Sequence, residues 1–196
     1  MFSIIFSIIF SGCSIEKDEV SHLITRSFIQ SIAEKYNKYS YNYEFTETEG
    51  ILIDGAISYF IANSNDFKDI IKKQITDYTE SKIIYPKESF DNTLGTVFNL
   101  NKNDFSSMYL NLNNNCYTVP NLEGVKTEHK TVVDTIKKIG IEKYSFNTIV
   151  SAISTQTGDY ETTLKQTFVI ETDGHSFKFI SVKIDWVLPG FYVVKF

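Results

Sequence analysis

Residues 144–152, YSFNTIVSA, place Tyr144, Phe146, Thr148, Val150 and Ala152 at every second position, and residues 160–170, YETTLKQTFVI, repeat the pattern with Tyr160, Thr162, Leu164, Phe168 and Ile170. A period of two marks a strand with one buried face. Thr157-Gly158-Asp159 separates these runs, and Thr172-Asp173-Gly174 leads into a third, FKFISVKIDW, at 177–186. Asp-Gly between alternating runs is a strong hairpin signal. With FYVVKF at 191–196 after Leu188-Pro189-Gly190, the last third predicts an antiparallel meander.

Upstream the spacing changes. From Glu16 to Tyr36 apolar residues recur every three or four positions (Val20, Leu23, Ile24, Phe28, Ile29, Ile32, Ala33, Tyr36), predicting an amphipathic helix with Glu16, Asp18 and Glu19 near its positive end. Tyr39, Tyr41, Tyr43 and Phe45 alternate with polar residues and predict a strand, and Ile51 to Ile61 predicts a second, with an irregularity at Gly55. Ser64 or Asn65 is placed to cap a helix burying Phe67, Ile70, Ile71, Ile75 and Tyr78. Ile83 to Tyr85 reads as a short strand ended by Pro86, Asn103 as the cap of a helical turn burying Phe105, Met108 and Tyr109, and 111–115 as loop. Val132, Val133, Ile136 and Ile139 predict a third helix from Thr127 to Ile139, with Lys137 and Lys138 in its last turn and Gly140 ending it. Helices followed by a meander give an α+β domain, with helices packed on one face of a curved antiparallel sheet. This order of elements resembles the NTF2-like and cystatin-like cone folds, best over residues 120–196. Such folds host enzymes and binding modules alike, so the resemblance implies architecture only.

The chain has 196 residues, 42% of them hydrophobic and 22% charged, enough for one core without disulfides or metals. A net charge of -5 argues against a nucleic-acid partner, which needs a basic footprint. Arg26 is the single arginine, so only one position offers a bidentate fork for a carboxylate or phosphate. No repeat or long linker divides the chain.

The N terminus carries an address. Residues 2–10, FSIIFSIIF, form an apolar run too short to span a membrane, followed by Ser11, Gly12 and Cys13. Phe10-Ser11-Gly12-Cys13 resembles a lipobox, the site at which bacterial lipoproteins are diacylated on cysteine and cleaved before it. The match departs from the family at Phe10, where Leu, Val or Ile is usual, and in having no Lys or Arg before the apolar run. The resemblance implies a signal peptide at 1–12, a lipidated Cys13 with a short tether at 13–19, a single domain at 20–196, and attachment to the extracytoplasmic face of the cell membrane. The alternatives are another secretory signal and a buried structural segment. If Cys13 is lipidated, Cys116 has no partner and reads as a small buried hydrophobe; a Cys13–Cys116 disulfide is the alternative.

No residue set announces catalysis. His22, His129 and His175 lack a second ligand at metal spacing, and no nucleophile elbow, phosphate loop or dinucleotide fingerprint occurs. We therefore expect no metal, cofactor or sequence-defined catalytic residue. Glu44, Glu47, Glu49 and Asp54 are the best acid–base or calcium candidates, with a solvated acidic tip as the plainer reading. His129 reads as the edge of a buried stripe or as a functional imidazole. Sixteen Phe, twelve Tyr and one Trp point instead to recognition through Tyr39, Tyr41, Tyr43 and Trp186, residue types that pair an apolar body with a polar tip. The expected role is a non-catalytic binding or assembly module for a protein or small-molecule ligand, as a monomer or weak homodimer. A small hydrolase-like enzyme with its site in the concavity of the sheet, and a structural envelope lipoprotein, are the alternatives.

Overall fold

The computed structural model describes residues 24–67, 77–79, 82–103, 107–111, 114–120, 129–153 and 160–187. Its dominant feature is a four-stranded antiparallel sheet of β5 (His129–Gly140), β6 (Lys143–Ile153), β7 (Tyr160–Thr172) and β8 (Phe177–Val187), in that order. The alternation of the sequence becomes a two-faced sheet. Phe146, Thr148 and Val150 of β6, with Leu164, Gln166, Phe168 and Ile170 of β7, are buried, while Asn147 on the outer face bonds the Thr135 and Thr167 hydroxyls. Phe146 and Phe168, directly opposed in register, stack at 4.7 Å. Gly174, at φ 92°, supplies the left-handed residue in the β7–β8 turn. The run at 191–196 lies outside the described residues.

The expected helix at Thr127–Ile139 is instead β5. A bulge causes the misreading: Val133 faces Thr148 and Ile136 faces Phe146, so β5 holds one residue more than its partner across this step. Buried positions therefore fall at Thr131, Val133 and Ile136, and the last interval imitates a helical spacing. Val132 and Ile139, assigned to the buried helix face, are exposed.

Helix α1 (Arg26–Asn37) starts later than the predicted Glu16, because the Thr25 hydroxyl caps it by accepting from the Phe28 amide. Glu16, Asp18 and Glu19 lie outside the described residues. Ile29, Ile32, Ala33 and Tyr36 are buried, and Tyr36 meets Phe168 edge-on at 5.2 Å, which lays the helix across the inner face of the long sheet. The sheet's outer edges are also partly covered. Arg26 donates to the Val133 and Asp134 carbonyls of β5, and Gln30 donates to the Thr131 carbonyl (2.7 Å) and accepts from the Val133 amide (2.9 Å). At the other edge Phe45 exchanges two backbone bonds with Val182, and the Phe179 amide donates to the Val97 carbonyl. Exposed strand edges are templates for unwanted pairing, and these contacts cover part of each.

The predicted strand at 51–61 is helix α2 (Ile53–Ala62). A continuous apolar run fits a strand or a fully buried helix equally well, and here the second holds because both flanks are covered. Tyr59 packs on Phe98 and Phe179 of the long-sheet cluster, whereas Phe60 packs on Phe90 and Tyr85 of a second layer. That layer is a smaller antiparallel sheet, order β1-β2-β4-β3, of β1 (Asp77–Thr79), β2 (Lys82–Pro86), β3 (Leu110–Asn111) and β4 (Cys116–Pro120), with α3 (Lys87–Gly95) against it. The expected strand at Ile83–Tyr85 is thus present as β2, and Pro86 leads into α3.

Two further expectations fail: residues 39–45 form turns, with Phe45 alone in a β-bridge, and Met108 is exposed. At the two ends of the helix expected to bury Phe67 to Tyr78, Ser64–Phe67 is a 3₁₀ turn with Phe67 buried, and Tyr78 belongs to β1. Residues 68–76 and Phe105 lie outside the described residues. Cys116 is buried and free, as expected of an unpaired thiol. No described helix is long and apolar enough to cross a membrane.

Candidate functional site

The C-terminal ends of α1 and α2 meet beside the first residues of β5, and their last carbonyls need partners. Asn63 donates to the Lys35 and Tyr59 carbonyls at 2.9 and 2.8 Å, Lys38 donates to the Ala62 carbonyl, and Lys35 pairs with Asp66 at 2.7 Å. Asn37, the final residue of α1, turns inward and is only 1% exposed. Its Oδ1 accepts from Gln166 Nε2 (2.9 Å), which also donates to the Tyr41 carbonyl (3.0 Å), while Gln166 Oε1 accepts from the Thr148 hydroxyl (2.8 Å). This chain fixes the orientation of both amides. Asn37 Nδ2 is left as a buried donor without a hydrogen-bond partner among the described residues.

Asn37 and His129 both line a pocket of about 450 Å³ between these elements, within the ~300–1,000 Å³ usual for small-molecule sites. Among the described residues, His129 Nδ1 is likewise buried without a partner, as is the hydroxyl of Tyr39, two residues beyond Asn37. Each such group costs about 1–3 kcal/mol and calls for an explanation. Tyr41 lies over the His129 ring with centroids 4.4 Å apart. Burial lowers the His129 pKa below its ordinary 6.5, favouring the neutral imidazole, and raises that of Tyr39. The charged lining balances, with Glu34 and Asp66 against Lys35 and Lys38.

Of the residues singled out from sequence, the fold brings Tyr41 and His129 into contact and places Tyr39 close by in the chain. The Tyr39, Tyr41 and Tyr43 side chains do not form a strand face. All are half-buried against the core, and the Tyr43 ring covers Gly55, where an added Cβ would meet it at 2.7 Å. The side chain of Trp186, together with Cys13 and His22, lies outside the described residues. His175 sits in the β7–β8 turn, its amide donating to Asp173, whose pKa is lowered chiefly by the backbone bonds from Ser176 and His175. The carboxylates disperse: Glu44 accepts from the Ile184 amide, Glu47 pairs with Lys143, Glu49 bonds Thr46, and Asp54 accepts from Ser107 and the Met108 amide. No metal-binding cluster occurs among the described residues.

A larger cleft of about 970 Å³ lies between the Gly50 and Asn99 loops and α3. Its central carboxylate, Asp91, already accepts from Lys87 and from the Tyr117 hydroxyl (2.8 Å). Sequence reasoning missed Asn37 and Gln166, because a buried amide leaves no periodic trace. Their only signal is a polar residue at a position whose strand or helix neighbours are core. No protein-family model matches the chain, no curated protein matches it, and no solved structure matches it.

Proposed function

We infer that this chain is an extracytoplasmic lipoprotein, attached to the cell membrane through a diacylated Cys13, whose folded part is a non-catalytic binding module. The observation that carries the binding reading is the pocket lined by Asn37 and His129, each of which keeps a buried nitrogen without a partner among the described residues, since groups held at that cost call for something that satisfies them. The non-catalytic reading is supported by the inner face of the long sheet, packed with Phe146, Phe168 and Phe179, and by the scatter of the carboxylates. The anchor is supported by the apolar run at 2–10 and the Ser11-Gly12-Cys13 order. Helix α1 laid across a four-stranded meander supports the cystatin-like or NTF2-like reading of the fold.

Expression of the full chain with labelled palmitate tests the anchor. The label and the protein are expected together in the membrane fraction, and Cys13→Ala should abolish labelling and release the protein, because two acyl chains hold stably where one holds marginally. Label retained by Cys13→Ala would refute lipidation at that residue.

A further inference from the structure

We propose that the pocket at the ends of α1 and α2 binds a small neutral polyhydroxylated molecule, a sugar or polyol, whose hydroxyls reach Asn37 Nδ2 and His129 Nδ1 once Tyr41 is displaced. The proposal rests on the binding-module reading and adds a ligand class to it.

The chemistry of the two unpaired atoms restricts the choice. Gln166 occupies Asn37 Oδ1, so the amide can offer this pocket only its Nδ2 hydrogens. A ligand atom placed there must accept. His129 Nδ1, on a neutral ring, accepts a hydrogen bond in one tautomer and donates one in the other. An ammonium group cannot accept from Asn37. A carboxylate can accept from both groups, but it would bring an unbalanced charge into a lining whose two carboxylates and two lysines already cancel, with Lys35 committed to Asp66 and Lys38 to Ala62. A hydroxyl can accept from Asn37 Nδ2 or donate to His129 Nδ1, and adds no charge. Further hydroxyls meet Ser31 and Glu34 at the rim; one Glu34 oxygen is engaged by Gln30 at 2.8 Å. The two unpaired atoms are closed to solvent in this conformation, and Tyr41 covers the His129 ring from a turn, so entry of the ligand displaces that ring.

The test is a nuclear magnetic resonance titration of the full chain, labelled at Asn, His and Tyr, in a detergent without a sugar headgroup. The probes are D-glucose, N-acetyl-D-glucosamine and myo-inositol, with acetate and methylammonium as charged comparators. At least one hydroxylated probe should produce saturable shifts at the Asn37 side-chain amide, the His129 imidazole and the Tyr41 ring. His129→Phe keeps a ring under Tyr41 but removes the nitrogen, and should weaken that binding about tenfold, the value of one buried hydrogen bond. Superposition of its remaining spectrum on the wild type shows that the variant is folded. Shifts with acetate or methylammonium alone would overturn the ligand class while leaving a binding module. Unchanged affinity in His129→Phe, or no shift with any probe and a long-lived water at Asn37 Nδ2, would overturn the site. Conversion of a bound sugar into a product would overturn the non-catalytic reading and leave the ligand class standing.

Discussion

Replacing Gln166 with Leu removes the side chain that connects the long sheet to α1. Gln166 is 1% exposed and makes three hydrogen bonds, to Thr148, Asn37 and the Tyr41 carbonyl. Leucine fills a similar volume with apolar atoms, so packing is nearly conserved and the cost falls on the partners. The Tyr41 carbonyl belongs to a half-buried turn and can find water. The Thr148 hydroxyl and Asn37 Oδ1 belong to residues that are each 1% exposed and cannot. Two stranded groups at about 1–3 kcal/mol each give a destabilisation of roughly 2–6 kcal/mol, a large share of the ~5–15 kcal/mol expected for a whole domain. Thr148→Val alone should cost about 1–2 kcal/mol by stranding Gln166 Oε1. The double variant should cost at least about 2 kcal/mol less than the sum, because each substitution removes the group that the other would strand. Urea unfolding followed by circular dichroism, with linear extrapolation, measures all three. A Gln166→Leu value within about 0.5 kcal/mol of wild type, or strict additivity in the double variant, would refute the network as described.

Gly55→Ala should lower the melting temperature, although alanine in a helix interior ordinarily gains about 0.5–1 kcal/mol over glycine. The new Cβ would lie 2.7 Å from the Tyr43 ring, and such overpacking costs about 1–3 kcal/mol; a raised melting temperature would contradict it. The depressed His129 pKa makes the unfolded chain bind the extra proton first, so this residue's contribution is present above its ordinary 6.5 and lost as pH falls through the lower folded value. Urea midpoints of wild type and His129→Phe should accordingly diverge on acidification below 6.5, the wild type declining faster. Parallel pH profiles would show the imidazole to be unperturbed.

The parts of the fold legible in sequence are those where burial obeys a single period. Strands β6, β7 and β8 keep strict alternation over Tyr144–Val150, Leu164–Ile170 and Val182–Ile184, and the pattern alone identifies each of them. The departures lie in β5 and α2. The bulge at Val133–Ile136 lengthens one interval from two to three, although Thr131, Val132, Val133, Thr135 and Ile136 form a β-branched run that favours a strand. Burial of α2 between the two aromatic layers erases its polar face, and with it the helical period. The tyrosines at 39–43 are all partly buried from a turn, Tyr41 beside His129 and Tyr43 over Gly55, which an alternating sequence does not distinguish from a strand. His129, Tyr39 and Tyr41 stand out in sequence as residue types suited to recognition, but their meeting depends on the path of α1, which brings position 37 beside position 129.

Arg26, Gln30, Ala33 and Asn37 follow one another along α1 at intervals of four, three and four, so they share one side of the helix. In the sequence Ala33 belongs to the apolar stripe, and the three polar residues beside it carry no periodic mark of burial. In the structure Arg26 and Gln30 complete the backbone of β5 and Asn37 reaches Gln166 on β7, with buried Ala33 letting the elements approach. The same contacts that cover part of the sheet edge therefore aim the Asn37 amide, and the two roles cannot be separated. Loosening Gln30 from Thr131 and Val133 would let α1 shift along β5, carrying Asn37 away from His129. Stability and the geometry of the pocket rise and fall together because one polar stripe serves both.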